Sequence, residues 1–182
     1  MGEWRMREIG TGPEDARFLC EMLFAASAWR PSSPPPTVEE AHDMRIRKLY
    51  VEGWGRTGDV GVIAHDEDEQ PLGASWYRLF TEAQHGYGFI DPSIPELALA
   101  VKHDTRGLGV GTALLRALIS HARAEGCSAL SLSVEQDNRA VHLYERTGFV
   151  RVDRVGNSWT MRLDVRADSV TRCRSRWCSG RR

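Results

Sequence analysis

The segment Arg106-Gly-Leu-Gly-Val-Gly-Thr112 has the residue types of a phosphate-binding turn. An apolar run at residues 96–101 precedes it and predicts a strand, and apolar residues at helical spacing follow it over 111–125. Glycines let a backbone approach a ligand without a clash from a Cβ atom, and the free N–H groups at a helix start attract anions. Alternate glycines between a strand and a helix therefore favour a phosphate site over a turn that binds nothing.

Two other phosphate-binding turns fit the sequence less well. A dinucleotide fingerprint, G-x-G-x-x-G, would need its third glycine where Thr112 stands. Five residues also separate the predicted strand from the first glycine, whereas that fingerprint follows its strand directly. Glu135 could imitate the ribose-binding acid, so a dinucleotide-binding oxidoreductase stays as a distant alternative. A P-loop does not fit, because no Gly-Lys-Ser/Thr closes the turn.

Periodicity along the chain predicts the elements that hold this turn in place. Capping-box patterns at residues 11–14 and 37–40 open two helices, which the proline-rich segment 30–36 separates. The remaining predicted helices cover 111–125 and 139–147, and the predicted strands cover 3–9, 60–64, 72–80, 96–101, 129–134, 149–155 and 158–165. The order β-α-α-β-β-β-α-β-α-β-β is a mixed α/β arrangement that forms one domain over residues 1–165.

Three segments resemble the GNAT family of N-acetyltransferases. Arg106–Gly111 is similar to the family's Gln/Arg-x-x-Gly-x-Gly/Ala signature, and Glu96–Val101 looks like its bulged central strand. Ala140-Val-His-Leu-Tyr-Glu-Arg-Thr-Gly-Phe149 is similar to the family's A-x-x-L-Y-x-x-x-G-F segment. The resemblance implies a central mixed, mostly antiparallel, twisted sheet flanked by helices, with a splayed central strand.

The resemblance also implies acetyl-CoA as the acetyl donor and assigns residues that bind it. Backbone groups of Leu99, Ala100 and Val101 would contact the pantetheine arm. The pyrophosphate would lie on the turn formed by Arg106, Gly107, Leu108, Gly109, Val110, Gly111 and Thr112. The family often has an asparagine seven residues before its tyrosine. In this sequence Asp137 stands there, with Asn138 beside it as the candidate for that side-chain contact.

Two catalytic residues follow from the same resemblance. An alkylammonium has a pKa near ~10.4 and must lose a proton before it can attack a thioester. Glu96, at the start of the central strand, takes the position of the general base, although a chain of waters is an open alternative. Tyr144 would lie near the thioester sulfur as the general acid. An N–H group near Ala100 and Val101 would stabilise the tetrahedral intermediate.

Composition sets limits on partners and location. The 182 residues carry a formal net charge of -1, which gives no overall field for nucleic acid or a membrane surface. The first residues lack the basic and then apolar regions of a signal peptide, and we expect a cytoplasmic protein. Neither the four cysteines nor the six histidines have metal-ligand spacing, so no metal is expected. Residues 166–182, with six arginines and one aspartate, predict a basic, disordered C-terminal tail.

The acceptor is less defined than the donor. We expect acetyl transfer to a primary amine of a small molecule or a peptide, by direct attack in a ternary complex. A longer acyl-CoA as donor stays open, as does a homodimer. The alternative from another class is a non-catalytic module that binds acyl-CoA and transfers nothing.

A thermal-shift titration with acetyl-CoA, CoA and NAD separates binding of acyl-CoA from binding of a dinucleotide. Ligand at about 100 times its dissociation constant adds roughly 2.7 kcal/mol of stability, which raises the melting temperature by several degrees. We expect this shift with acetyl-CoA and CoA and none with NAD. Stabilisation by NAD alone would instead support the dinucleotide-binding alternative.

Overall fold

The computed structural model describes residues 3–27 and 45–165. The predicted element order is confirmed within these ranges. The proline-rich segment 30–36, the capping-box pattern at 37–40 and the basic tail 166–182 lie outside them. Within residues 3–27 and 45–165, no helix combines the length and the apolar character that crossing a membrane requires. The elements are β1 (Trp4–Glu8), α1 (Pro13–Ser27), α2 (Arg45–Tyr50), β2 (Val60–Asp66), β3 (Pro71–Arg78), β4 (Glu96–Val101), a 3-10 turn (His103–Thr105), α3 (Val110–Ala124), β5 (Ala129–Glu135), α4 (Ala140–Arg146), β6 (Val150–Val155) and β7 (Ser158–Asp164).

The seven strands form one sheet in the order β1-β2-β3-β4-β5-β7-β6. All neighbouring pairs are antiparallel except β4 and β5, which run parallel. Those two strands pair at a single position, Glu96 with Ser131. Beyond that position they separate, and the sheet opens into a V-shaped gap. The splayed central strand implied by the family resemblance is therefore confirmed.

Separate hydrophobic cores cover the two faces of the sheet, because side chains alternate between faces along a strand. Leu97 of β4 belongs to the cluster that contains Leu115 and Leu118 of α3. Ala100 belongs to the cluster that contains Leu19 of α1. We call these two sides the α3 face and the α1 face. Helices therefore cover both faces of the sheet around the gap between β4 and β5.

The start of α1 differs from the predicted capping box. The helix begins at Pro13, so the proline lies in the first turn as expected, where its missing N–H is harmless. Asp15, rather than Glu14, reaches back across the helix start. Its Oδ2 accepts a hydrogen bond from the Gly10 N–H at 2.6 Å, and its Oδ1 lies 2.6 Å from Nη2 of Arg7. The Arg7 guanidinium holds the pKa of this carboxyl below its usual value and links β1 to α1.

A buried ion pair fixes the end of β3 against α2. Arg78 is fully buried, and the side chain of Asp59 is 1% exposed. Nε of Arg78 donates to Oδ1 of Asp59 at 3.0 Å, while its Nη1 donates to the carbonyl oxygens of Leu49 and Glu52, both at 3.1 Å. One guanidinium thus connects β3 to the last turn of α2 and to the loop before β2.

We expect Asp59→Ala to lower the free energy of unfolding by about 3–5 kcal/mol, because it leaves the buried Arg78 cation without its carboxylate partner. Chemical denaturation measures this loss. Arg56→Ala is the matched control: Arg56 also reaches Asp59, at 3.6 Å, but its side chain is 52% exposed. Its removal should cost less than about 1 kcal/mol. Equal, small losses in both variants would contradict the anchoring role of Arg78.

Candidate active site

The unpaired edge of β4 presents backbone groups to the gap. The carbonyl oxygen of Pro95 accepts a hydrogen bond from the Ser131 N–H at 3.0 Å and therefore points toward β5. The N–H of Lys102 donates to Leu72 of β3 at 2.8 Å and points the opposite way. Because the backbone groups of successive residues in a strand point to alternate edges, odd-numbered residues of β4 face the gap.

This alternation corrects one of the predicted donor contacts. Ala100 pairs with Ala74, and a Cβ atom built on Gly73 would lie 2.8 Å from the Ala100 carbonyl oxygen, so Ala100 points toward β3. Its N–H and C=O are committed to the sheet and are not available in the gap. Leu99 and Val101 keep their predicted access. Leu97, which sequence reasoning missed, points its carbonyl to the same edge, but the parallel pairing of Glu96 with Ser131 takes up its N–H.

The glycine turn lies open to solvent at the end of this edge. Gly107 and Gly109 have φ angles of 81° and 85°, in the left-handed region that favours glycine. No side chain caps the start of α3 at Gly109. The first helical hydrogen bond runs from the Ala113 N–H to the Gly109 oxygen at 3.1 Å. The N–H groups of residues 110–112 therefore have no helical acceptor and lie at the positive end of the helix dipole.

The turn, β4 and α4 meet at one point. A Cβ atom on Gly111 would lie 3.7 Å from Cγ1 of Val101 and 4.0 Å from Cδ2 of Leu143. The end of the gap-facing edge and the start of α3 are therefore adjacent. A ligand lying along β4 would reach the free N–H groups of α3 without leaving the protein surface.

Asn138 has a role in the structure that the sequence did not indicate. Its Oδ1 accepts a hydrogen bond from the Ala140 N–H at 2.9 Å and so caps the start of α4. The carbonyl of this side chain is occupied, whereas the Nδ2 amide group is left for other contacts. The predicted contact of Asn138 with the donor stays a prediction.

Glu96 is buried rather than exposed at the strand end, with 1% of its surface accessible. Its Oε1 accepts hydrogen bonds from the Gly88 N–H at 2.7 Å and from the Tyr50 hydroxyl. Oε2 is buried and has no partner within residues 3–27 and 45–165. Burial raises the pKa of this carboxyl, while the two hydrogen bonds oppose the rise. Such a carboxylate is suited to accept a proton through Oε2.

Tyr144 lies on α4 and belongs to the core cluster of the α3 face. Its ring packs edge-on against Phe149 at 5.7 Å between centroids. Burial raises the pKa of its hydroxyl well above the ordinary value, so the group stays protonated at neutral pH and can donate. Glu96 faces the opposite side, beside Tyr50 and the α1 core. The two predicted catalytic residues thus approach the sheet from different faces.

Three features of this site were not found from the sequence. Tyr50 was placed in a predicted helix without a role, and the loop at residues 86–88 was given no contact with Glu96. Ser131, which pairs with Glu96, has a buried Oγ without a partner in the described part of the chain. Alternation of side chains along β5 predicts that its serines share one face. It does not predict the register between β4 and β5, which sets Ser131 beside Glu96.

Comparisons with known proteins agree with this geometry. Residues 24–149, more than half of the chain, match the profile of the acetyltransferase (GNAT) family. A mycothiol acetyltransferase from Rhodococcus jostii (strain RHA1) is 32% identical over 143 residues, which are 77% of this chain and 44% of that protein. An L-methionine sulfoximine/L-methionine sulfone acetyltransferase from Pseudomonas paraeruginosa (strain PA7) is 29% identical over 127 residues, which are 68% of this chain and 71% of the relative.

A solved structure shares the fold. The PaiA N-acetyltransferase from Thermoplasma acidophilum, in complex with coenzyme A, superimposes with a TM-score of 0.66 at 16% identity, covering 89% of this chain and 99% of that one. The chain spans less than half the length of the mycothiol acetyltransferases that it matches. The glycine turn, the gap between β4 and β5 and the family profile all point the same way, and the chain belongs to the acetyltransferase (GNAT) family.

Proposed function

We propose that this protein transfers an acetyl group from acetyl-CoA to a primary amine of a small molecule. One observation carries the proposal: the gap-facing edge of β4 leads directly to the uncapped start of α3. A molecule with amides along an extended arm and a pyrophosphate at its end matches this open strand edge followed by free N–H groups. Coenzyme A has this form, because its pantetheine arm contains amides and its nucleotide end contains the pyrophosphate.

In the proposed complex, the amides of the pantetheine arm pair with backbone groups of Leu99 and Val101 as a strand would. The pyrophosphate lies on the N–H groups of residues 107–112, and exposed Arg106 adds a positive charge. This arrangement places the thioester in the gap between the two faces. Coenzyme A in the Thermoplasma acidophilum relative supports the same donor.

The acceptor amine approaches from the α1 face, where Glu96 lies. Its nitrogen attacks the thioester carbonyl carbon and gives up a proton to Oε2 of Glu96, directly or through a water molecule. An N–H at the edge of β4 stabilises the oxygen that becomes negative. Collapse of the intermediate breaks the C–S bond, and Tyr144 protonates the departing sulfur. Exchange with solvent then removes the proton from Glu96 and restores that of Tyr144, so the products are the N-acetylated amine and the free thiol of CoA.

Two observations support a small-molecule amine as the acceptor. A buried carboxylate with one unpartnered oxygen suits a single ammonium or amine group. The Pseudomonas paraeruginosa relative is named for two amino-acid analogues, L-methionine sulfoximine and L-methionine sulfone, each of which carries an α-amino group. We therefore place amino-acid-like amines first in the acceptor class and peptide amines second.

The test is an acetylation assay over a panel of amines that reads out free CoA thiol. The panel contains L-methionine sulfone, L-methionine sulfoximine, aminosugars, polyamines and a lysine peptide. Thiol release that depends on one amine, with the N-acetyl product identified by mass spectrometry, is the expected result. Binding of acetyl-CoA without transfer to any amine would support the non-catalytic acyl-CoA module instead.

We expect Gly109→Val to abolish stabilisation by acetyl-CoA, because the new side chain occupies the space in front of the free N–H groups of α3. Gly126→Val is the matched control. Gly126 has a φ of 74° and equally open surroundings, and it lies at the other end of a helix about 22 Å long. Each variant should lose about 1–3 kcal/mol from backbone strain. Thermal-shift titration then separates them, and a retained acetyl-CoA shift in Gly109→Val would refute the phosphate site.

We expect Tyr144→Phe to lower kcat by about a hundredfold or more, because the departing sulfur loses its proton donor. The affinity for acetyl-CoA should stay close to that of the wild type. Tyr77→Phe is the control, since Tyr77 is also buried in the core of the α3 face and its hydroxyl faces Cys127 at 4.0 Å. If both variants lose the same fraction of kcat, Tyr144 is not the general acid.

A further inference from the structure

Tyr50 connects the end of α2 to Glu96. It is the last residue of α2, is 6% exposed, and donates its hydroxyl to Oε1 of Glu96. The same oxygen accepts the Gly88 N–H at 2.7 Å. Two donors therefore occupy one oxygen of the carboxylate, whereas Oε2 is buried without a partner within the described residues. This asymmetry distinguishes the two oxygens chemically.

The position of Tyr50 is itself fixed by β3. Nε1 of Trp76 donates to the Tyr50 carbonyl at 3.1 Å, and the Arg78 guanidinium donates to the carbonyls of Leu49 and Glu52. These carbonyls lie at the C-terminal end of a helix, where the helix supplies no partners of its own. The Tyr50 ring packs edge-on against Phe80 at 5.2 Å between centroids. β3, the neighbour of β4, thus holds the backbone of Tyr50, and Phe80 just after β3 holds its ring.

The loop before β4 covers this contact closely. A Cβ atom on Gly86 would lie 2.6 Å from Oε2 of Glu96 and would overlap the Tyr50 hydroxyl. The backbone of Gly86 has no left-handed φ, so glycine is required here for space alone. There is room beside the carboxylate only when residue 86 has no side chain.

We propose that Tyr50 is a positioning residue for the reaction: it holds Glu96 by occupying Oε1 and leaves Oε2 as the oxygen that receives the proton of the acceptor amine. The proposal rests on the proposed function, in which Glu96 receives the proton of the amine. Arg78 and Trp76 support Tyr50 and do not contact the carboxylate. The Tyr50 hydroxyl keeps its own proton throughout, since both burial and the adjacent Glu96 raise its pKa.

Several groups face Glu96 and decide how it titrates. Tyr50 approaches it from α2, and the Gly88 N–H and His85 approach from the loop. Arg78 and Ser131 occupy the paired positions on β3 and β5. Burial raises the pKa of Glu96, and the hydrogen bonds from Tyr50 and Gly88 and the charge of His85 lower it. Loss of the Tyr50 hydroxyl removes a lowering contribution, so the acidic limb of the pH profile moves to higher pH.

The test is the pH dependence of kcat/KM in Tyr50→Phe, with the amine that the wild type acetylates. We expect the acidic limb to rise by about one pH unit, the size of one lost hydrogen bond to a charged group. At pH values below the limb, kcat/KM falls by about tenfold. Acetyl-CoA binding stays unchanged. Tyr77→Phe removes a buried hydroxyl from the other face and should leave the limb in place, and an unshifted limb in Tyr50→Phe overturns the proposal.

A second measurement is independent of activity. Carbon NMR of the side-chain carboxyls of labelled glutamate reports the titration of Glu96, which Glu96→Gln assigns by the loss of one signal. The pKa of Glu96 should rise in Tyr50→Phe and also in Gly86→Ala, where the new methyl group displaces the hydroxyl. If the wild type acetylates no amine but this rise appears, the proposed function fails while the Tyr50 contact stands. If acetylation occurs and neither variant changes the titration, the positioning role alone is refuted.

Discussion

The structure depends on one pair of residues, Glu96 and Ser131, at which two parallel strands meet before they separate. A sheet normally satisfies the backbone groups of its inner strands with neighbours on both sides. Here β4 is paired along its whole length with β3 but only once with β5. The remaining edge of β4 carries polar groups in the middle of a sheet, where they are available to a ligand.

The other parts of the site follow from this opening. The glycine turn follows β4 after five residues, and the start of α3 meets the end of the open edge there. In the proposed reaction, the helices on the two faces separate a donor side of the site from an acceptor side. Tyr144 lies with the α3 core, and Glu96 lies with the α1 core. In that proposal, the two molecules react in the gap and each enters from its own side.

Local patterns predicted the glycine turn, the strands and the helices because spacing along the chain determines them. The same patterns could not predict contacts between distant segments. Tyr50 and Glu96 are 46 positions apart, and their hydrogen bond depends on how β3 holds the end of α2. The assignment of Ala100 failed for a related reason. The sequence does not distinguish Leu99, Ala100 and Val101 by the direction of their backbone groups. The direction of the Pro95 carbonyl in the structure determines which of them face the gap.

In the proposed complex, recognition by the open edge of β4 uses main-chain atoms, which every amino acid except proline supplies as both donor and acceptor. The side chains of residues 97–101 can therefore be replaced, provided that the new side chains still fit against Leu19 in one core or Leu115 in the other. The number of residues in β4, by contrast, cannot change. Removal of a single residue from β4 would turn Glu96 to the α3 face and exchange the backbone groups that face the gap. Substitutions at residues 97–101 are therefore tolerable, whereas insertions and deletions in β4 are not.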